Sequence, residues 1–387
     1  MKIGIEGQRL FRKKKHGMDM VALELIKNLQ VIDKINEYVI FVKPDTDHNC
    51  IPMAPNFRIV ELNSKFGYPG WEQIELPKAA LKEGCDILHC TGNTGPLNIK
   101  IPMVTTLHDI IYLENIGIFK KGGTWYQKGG NIYRRFIVPS VVKKSEKVIT
   151  VSNYEKERIQ KHFGINEDKL QTVYNGVGEH FRKITDELVL DEIKKEYKLP
   201  NKFFFFLGNT APKKNTPGVL KAFSDYNELY PNEYTLVMLD YDEQELQKIL
   251  ADIGKPELRK LIHLTGYVSN EKLPAIISQC TVFLYPSLRE SFGIPILEGM
   301  ACGVPVITSN TSSMPEIAGR DTAYIVDPKK PEEITTAIEV LVHNKKLAAL
   351  LSEKGIERAA QFSWKAMAEQ VLVIYNEVYS NHNSTIQ

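Results

Sequence analysis

Two glutamates and two lysines stand out in this chain as residues whose types and spacing could do chemistry. Glu290 and Glu298 lie eight residues apart in PSLRESFGIPILEGMACGVPVITSN, residues 286–310. Carboxylates accept hydrogen bonds in pairs, which suits a ribose diol or the vicinal hydroxyls of a hexose. Lys213 and Lys214 follow the apolar run FFFFLG. A lysine ~4 Å from a phosphate charge contributes on the order of 4 kcal/mol at an effective dielectric near 20, which could replace a metal ion beside a departing diphosphate. Each pair also has a plainer reading. The glutamates could merely complement a helix dipole, and the lysines could be a solvated turn.

The surrounding elements favour chemistry. The run TVFLY reads as a strand, Gly293 and Pro295 mark a turn, and a helix begins around Ile296–Met300 before the strand GVPVITSN. Helix starts carry unpaired N–H donors and partial positive charge, so a diphosphate is favoured there. The lysine pair likewise sits between a strand and a helix. His108–Asp109 follows the strand IPMVTTL, at a carboxyl end where the catalytic groups of α/β domains gather. The histidine can donate, accept or transfer a proton, or bond structurally to Asp109. Gly17 follows the first strand and the basic run RKKKH (12–16). It is either a plain turn glycine or the point where backbone approaches a phosphate.

Those elements recur along the whole chain. MKIGIEG, YVIFVK, CDILHC, IPMVTTLHD and KVITVS read as strands, alternating with helical patterns such as MDMVALELIKNLQVI. A second series follows: KFFFFLG, TLVML, IHLTG, TVFLYP and PVITSN, with PGVLKAFSDYNEL and LPAIISQC as helices. Strand–helix alternation predicts parallel sheets covered by helices. The charged segment KITDELVLDEIKKEYKLPNK separates the series and places the domain boundary near 190. The expected organisation is α/β: a first Rossmann-like domain over 1–190, a second over 191–365, and a helix at about 366–382 packing back on the first. Two such domains in series leave a cleft at the carboxyl ends of their strands.

Composition narrows the classes. The 387 residues carry a formal net charge of +2, which gives no argument for nucleic-acid binding. Five scattered cysteines fit a reducing compartment, and Cys85, His89 and Cys90 lack a second ligand pair at zinc spacing. No stretch approaches the ~18 consecutive apolar residues of a membrane span, and MKIGIEG reads as a strand-like start without the apolar stretch and cleavage site expected of a signal peptide. The expected location is cytoplasmic, with peripheral contact at the inner face of the membrane left open.

The segment RESFGIPILEGMACGVPVITSNTSSMPEI resembles the Glu-x7-Glu signature of the retaining glycosyltransferases of family 4 (glycosyl transferases group 1), which have the GT-B fold. FLGNTAPKKNTPGVLKAF (206–223), LTGYVSNEKLPAIISQC (264–280) and FSWKAMAEQ (362–370) are similar to other family segments. VTTLHDIIYL (104–113), VITVSNYEKERI (148–159) and VYNGV (173–177) match the first half in order and spacing. Together they cover nearly the full chain.

The resemblance implies a fold of two Rossmann-like doubly wound parallel-sheet domains facing each other across a cleft. It implies transfer of a hexosyl unit from a nucleotide diphosphate sugar to a saccharide or lipid-linked saccharide in surface polysaccharide synthesis. Configuration would be retained by front-side displacement, with no cofactor, no metal and no nucleic acid.

It also assigns roles. Glu298 would bind the ribose hydroxyls, and Glu290 those of the transferred sugar. Backbone N–H groups of Ser291, Phe292 and Gly293 would face the sugar or phosphates, and Tyr267 and Val268 would flank the base. Gly17 would admit the diphosphate, Lys213 and Lys214 would clamp it, and His108 would lie beside the reacting sugar. Asn209 stands where many members carry an arginine, so Lys213 is the candidate substitute for that cation.

Competing readings remain. Asp240-Tyr-Asp242 mimics the Asp-x-Asp metal motif of the GT-A fold, but that fold leaves the second α/β series unexplained. A sugar-nucleotide epimerase or a non-catalytic nucleotide-sugar binder of the same fold would share many of these motifs. A dehydrogenase would not, since no G-x-G-x-x-G follows any strand. The stretch FKKGGTWYQKGGNIYRRFIV (119–138) mixes basic and aromatic residues and reads either as a lipid-contacting surface or as a solvated helix.

Overall fold

The computed structural model describes residues 1–114 and 125–386. The basic-aromatic stretch therefore lies partly, over 119–124, outside the described residues. Two compact units divide the chain: Met1–Gly176 with Trp364–Gln387, and Val177–Ser363. The charged segment expected to carry the boundary lies within the second unit. Its helix Glu187–Glu196 packs on Leu273–Ile277, and the Ile184 N–H donates to Ser278 Oγ at 3.0 Å.

In the first unit the strands are β1 (Lys2–Glu6), β2 (Glu37–Val42), β3 (Phe57–Glu61), β4 (Ile87–Cys90), β5 (Met103–Thr106), β6 (Lys147–Thr150) and β7 (Leu170–Thr172). They form one parallel sheet ordered β3-β2-β1-β4-β5-β6-β7. The second unit contains β8 (Phe203–Phe206), β9 (Thr235–Met238), β10 (Ile262–Leu264), β11 (Val282–Tyr285), β12 (Val306–Ser309) and β13 (Tyr324–Val326). These too are parallel, ordered β10-β9-β8-β11-β12-β13. Each sheet is wound outward from its first strand in both directions. The order therefore reverses between β1 and β4 in one unit and between β8 and β11 in the other, and ligands of such sheets bind at this kind of reversal.

The central strands are continuous apolar runs because both faces are covered. Phe203 to Phe206 are all buried, and Phe204 stacks on Tyr234 with ring centroids 4.5 Å apart. Burying each such ring stabilises the unit by about 1.5–3 kcal/mol. The helices Thr216–Leu229 and Pro331–His343 supply the facing layer through Val219, Leu220, Phe223, Ile334 and Ile338.

In the first unit the helix Gly17–Ile32 packs against the helix Trp364–Ile386. Tyr375, on the latter, is buried, with its hydroxyl 2.6 Å from His89 Nδ1; His89 Nε2 lies 2.8 Å from Thr106 Oγ1. Burial lowers the His89 pKa to about 3. Cys85 and Cys90 are buried thiols packed with Phe41, Leu88 and Met103. The CDILHC segment is thus a core strand whose histidine is occupied by hydrogen bonds. Among the described residues, no helix is long and apolar enough to cross a membrane.

Candidate active site

The site is built at the β8/β11 reversal. After β8 the chain passes Gly208 and Asn209, whose Oδ1 accepts the Ala211 N–H at 2.9 Å, and enters a short 3-10 turn at Pro212–Lys214. Asn215 stops the turn with a positive φ of 60°. Its amide donates to the carbonyls of Pro286 (3.0 Å) and Pro328 (2.7 Å), and the Leu288 N–H donates to the Lys213 carbonyl at 2.7 Å. The loops after β8 and β11 are thereby fixed to each other. In this frame Lys214 Nζ lies 2.8 Å from one Glu290 oxygen, and Lys213 Nζ 3.2 Å from the other. Lys214 also donates to the Tyr285 hydroxyl at 2.5 Å.

Electrostatics follow from this packing. Burial alone would raise the Glu290 carboxyl, but the two ammonium groups, Lys214 foremost, hold it below its usual value. Burial lowers the Lys214 pKa while Glu290 opposes that shift. The two lysines are unequal: the Lys214 side chain is 14% exposed and that of Lys213 40%. The second contact is therefore closer to a surface ion pair, worth little alone.

Glu298 differs again. The helix Ile294–Ala301 begins two residues earlier than expected, after Gly293 at φ 104°. It lies flush on β11, since a Cβ on Gly299 would come within 2.9 Å of the Phe283 ring. Glu298 occupies its second turn, half-buried. Burial pushes its carboxyl up to about 7, with Lys214 pulling the other way.

The turn carrying Glu290 is held from the next loop. The Glu290 N–H donates to Ser312 Oγ at 3.1 Å, and the single proton of Ser313 Oγ is shared between the carbonyls of Glu290 (3.0 Å) and Phe292 (2.9 Å). Phe292 itself is buried, edge-on to Phe362. Tyr285, Asn215, Ser312 and Ser313 were not singled out from the sequence. The signal available for Asn215 and the serines was their place just beyond the KK pair and just beyond β12.

The other expected residues are carried by other elements. Tyr267 and Val268 follow β10, the edge strand, with Tyr267 76% exposed. Asp242 caps the helix Glu243–Asp252 by accepting the Glu245 N–H at 2.9 Å, which gives that carboxylate of the Asp-x-Asp pattern a structural role. Gly17 and His108 belong to the first unit. A Cβ on Gly17 would meet no atom within 4 Å, so nothing in the protein itself demands glycine there. Of the RKKKH run, Lys15 is turned to Asp47 and the Arg12 carbonyl.

His108 is buried, its N–H donating to Asn93 Oδ1 at 2.7 Å. Its Nε2 lies 2.9 Å from the Thr91 carbonyl, which can only accept, so Nε2 carries the proton. Burial lowers its pKa, leaving a neutral ring at pH 7 whose Nδ1 is an acceptor.

Residues 17–180 match the family described as Glycosyltransferase Family 4, and residues 190–358 match Glycosyl transferases group 1. The chain belongs to glycosyltransferase family 4. The chain is 28% identical to the O-antigen chain mannosyltransferase B of Escherichia coli over 59% of its length, and it spans only 60% of the length of that relative. In structure it is similar to the sucrose-phosphate synthase of Thermosynechococcus elongatus, with a TM-score of 0.77, 18% identity and coverage of 98% and 99% of the two chains. A crystal structure of Anabaena HepE in complex with UDP and glucose gives 0.75, 17%, 97% and 100%. The fold is GT-B, with two Rossmann-like parallel-sheet units.

The β8/β11 reversal can serve an anionic, hydroxylated ligand in two ways. The lysines can neutralise phosphate oxygens. A carboxylate keeps lone pairs after pairing with two ammonium groups, so Glu290 can still accept sugar hydroxyls.

Proposed function

We propose that this glycosyltransferase moves a hexosyl unit, a mannosyl unit in the first instance, from a nucleotide diphosphate sugar to a saccharide or lipid-linked saccharide acceptor in surface polysaccharide synthesis. The observation that carries the reading is the Lys213–Lys214–Glu290 cluster at the β8/β11 reversal. It combines fixed cations for a diphosphate with a fixed acceptor for sugar hydroxyls. The E. coli mannosyltransferase supports the transferred sugar, and the UDP and glucose of HepE support a nucleotide-linked donor.

In this reading the second unit holds the donor. Glu298 accepts from the ribose hydroxyls, Glu290 from the hexose, and the backbone of Ser291, Phe292 and Gly293 meets the sugar or phosphates. The loop of Tyr267 and Val268 flanks the base, and Asn209 leaves Lys213 and Lys214 as the phosphate clamp. The first unit supplies Gly17 for close approach and the neutral His108 to orient the reacting sugar through Nδ1.

Transfer proceeds on one face of the sugar, so configuration is retained. The bond from the anomeric carbon to the leaving phosphate oxygen breaks, the acceptor oxygen bonds to that carbon, and the acceptor proton passes to the leaving phosphate. Charge growing on the diphosphate is met by the two lysines, without a metal ion. The reaction takes place on the cytoplasmic side of the membrane. The helix Trp125–Lys144, with Ile132 and Phe136 exposed one turn apart, supports peripheral contact there.

Calorimetry with UDP, GDP, ADP and their hexose conjugates, with and without EDTA, tests the reading. Binding of one nucleotide family regardless of EDTA is expected and names the base. Binding abolished by EDTA overturns metal independence, and no binding at all overturns the donor assignment. Binding without sugar release to any glycan acceptor leaves a nucleotide-sugar binder.

A further inference from the structure

Tyr285 ends β11 at the β8/β11 reversal, and its hydroxyl takes no part in the donor contacts proposed above. The residue is 1% exposed and follows the apolar residues Val282, Phe283 and Leu284. A phenol buried in such surroundings is costly unless its oxygen and its proton both find partners. Here both do. Lys214 is an ammonium and can only donate, so in their 2.5 Å contact the phenol oxygen accepts. Ser287 is a second donor to that oxygen, and the phenol proton goes to the Glu290 carboxylate. Lys214 also donates to Glu290 directly, at 2.8 Å. Lys214, Tyr285 and Glu290 thus close a triangle of hydrogen bonds.

The triangle occupies two of the three ammonium protons of Lys214 and, among the described residues, leaves the third for a ligand. A lysine stem loses rotamer freedom when its head is fixed, and here that loss precedes any ligand. The hydroxyl also supports the charge. Burial lowers the Lys214 pKa; Glu290 opposes the shift, Lys213 adds to it, and Glu298 opposes it. Tyr285 stays neutral, since burial and then the Glu290 charge hold its pKa far above the usual value. A neutral acceptor favours the ammonium form without cancelling its charge, as another carboxylate would.

Tyrosines meet a buried carboxylate in the first unit as well. There Glu72, 1% exposed, accepts from the hydroxyls of Tyr68 (2.6 Å) and Tyr133 (2.7 Å), from Gln73 Nε2 (2.9 Å) and from Thr94 Oγ1. All four donors are neutral. The Tyr285 hydroxyl differs in accepting from a cation.

We propose that the Tyr285 hydroxyl is a positioning group for transfer, which keeps the Lys214 ammonium fixed and charged while Glu290 turns lone pairs to the sugar. The inference rests on the donor reading above and adds to it a residue that acts through Lys214.

Tyr285→Phe removes the hydroxyl and keeps the ring, whose centroid lies 4.6 Å from the Lys214 nitrogen. With the donor found by calorimetry, this variant should lower kcat about tenfold and change nucleotide affinity less than about threefold. The basic limb of its kcat profile should move down by about one pH unit. In a Lys214→Met background the same substitution should cost nothing further. Tyr285→Met, which also lacks the hydroxyl, serves where the phenylalanine variant does not fold. NMR of protein carrying isotope-labelled lysine, assigned with Lys214→Arg, titrates the Lys214 amine directly and needs no donor. That amine should titrate about one pH unit lower in Tyr285→Phe. An unchanged kcat, an unshifted limb, an unshifted amine, or equal losses with and without Lys214 overturns the proposal. A lowered amine pKa in a protein that binds no nucleotide shows that Tyr285 holds Lys214 and that the donor reading fails.

Discussion

The two units place their polar residues at the same point of the same topology and give it opposite sign. At the β8/β11 reversal a pair of lysines surrounds one buried carboxylate; at the β1/β4 reversal two buried carboxylates, Glu6 and Asp19, line a small concavity with one arginine, Arg9. Doubly wound topology thus sets where a ligand can sit, because strand ends diverge there, and says nothing about which ligand. The residues just beyond two neighbouring strands decide that. Cations at one reversal suit phosphate oxygens, and oxygen acceptors at the other suit hydroxyls.

The largest expected effect removes the cation that defines the second reversal. Lys214→Ala should lower kcat by roughly 10²–10³, with a smaller loss of donor affinity, because its pairing grows as the diphosphate departs. Steady-state kinetics and calorimetry on one preparation check the split; an intact kcat would show that another group carries the clamp. At the anionic reversal, Glu72→Gln replaces an acceptor of several hydrogen bonds by a group that must donate to some of the same partners. It should cost about 1–3 kcal/mol of stability and leave nucleotide affinity untouched. Thermal unfolding with nucleotide titration reads both, and a change confined to nucleotide affinity would contradict the separate roles.

Glu298 gives a smaller, pH-dependent effect. Its carboxyl is raised from 4.5 to about 7 in the folded chain, so the folded state binds more protons than the unfolded one between those values. Stability from this group is complete below about 4.5 and is lost as pH rises towards 7. Chemical unfolding at pH 5 and pH 7.5 should show Glu298→Gln with the shallower decline, and parallel slopes would place the titration elsewhere. The smallest change is Lys213→Ala. Its half-exposed contact with Glu290 predicts a loss in turnover of only a few-fold, against the much larger loss at Lys214. Equal losses would mean that burial does not rank the two cations.

Much of this was legible in the sequence where the physics is local. Runs such as FFFF and VFLY declare doubly covered strands, and the KK and Glu-x7-Glu segments fall beside such runs. The strands that escaped notice, Phe57–Glu61, Leu170–Thr172 and Tyr324–Val326, all lie at sheet edges. There one side is free and the apolar run is short or broken; Arg58, Ile59 and Glu61 are exposed. The contact of Lys213 and Lys214 with Glu290 spans 77 and 76 residues, so only the strand order brings these groups together. Glu6 and Glu72 are hidden for the same reason, since Thr91 lies 85 residues from Glu6 and Tyr133 lies 61 residues from Glu72. The division at Gly176 rather than near 190 reflects packing of the Glu187–Glu196 helix, which charge content does not reveal.

The helix Trp364–Ile386 completes the first unit although the second unit intervenes in sequence. During synthesis, therefore, the first unit cannot finish folding when its own strands have left the ribosome. The apolar face of Gly17–Ile32 stays uncovered by that helix, and His89 Nδ1 stays without the Tyr375 hydroxyl, while the second unit is made. Domains usually fold in order of emergence. Here the second unit can close first, and the one begun earliest is sealed last.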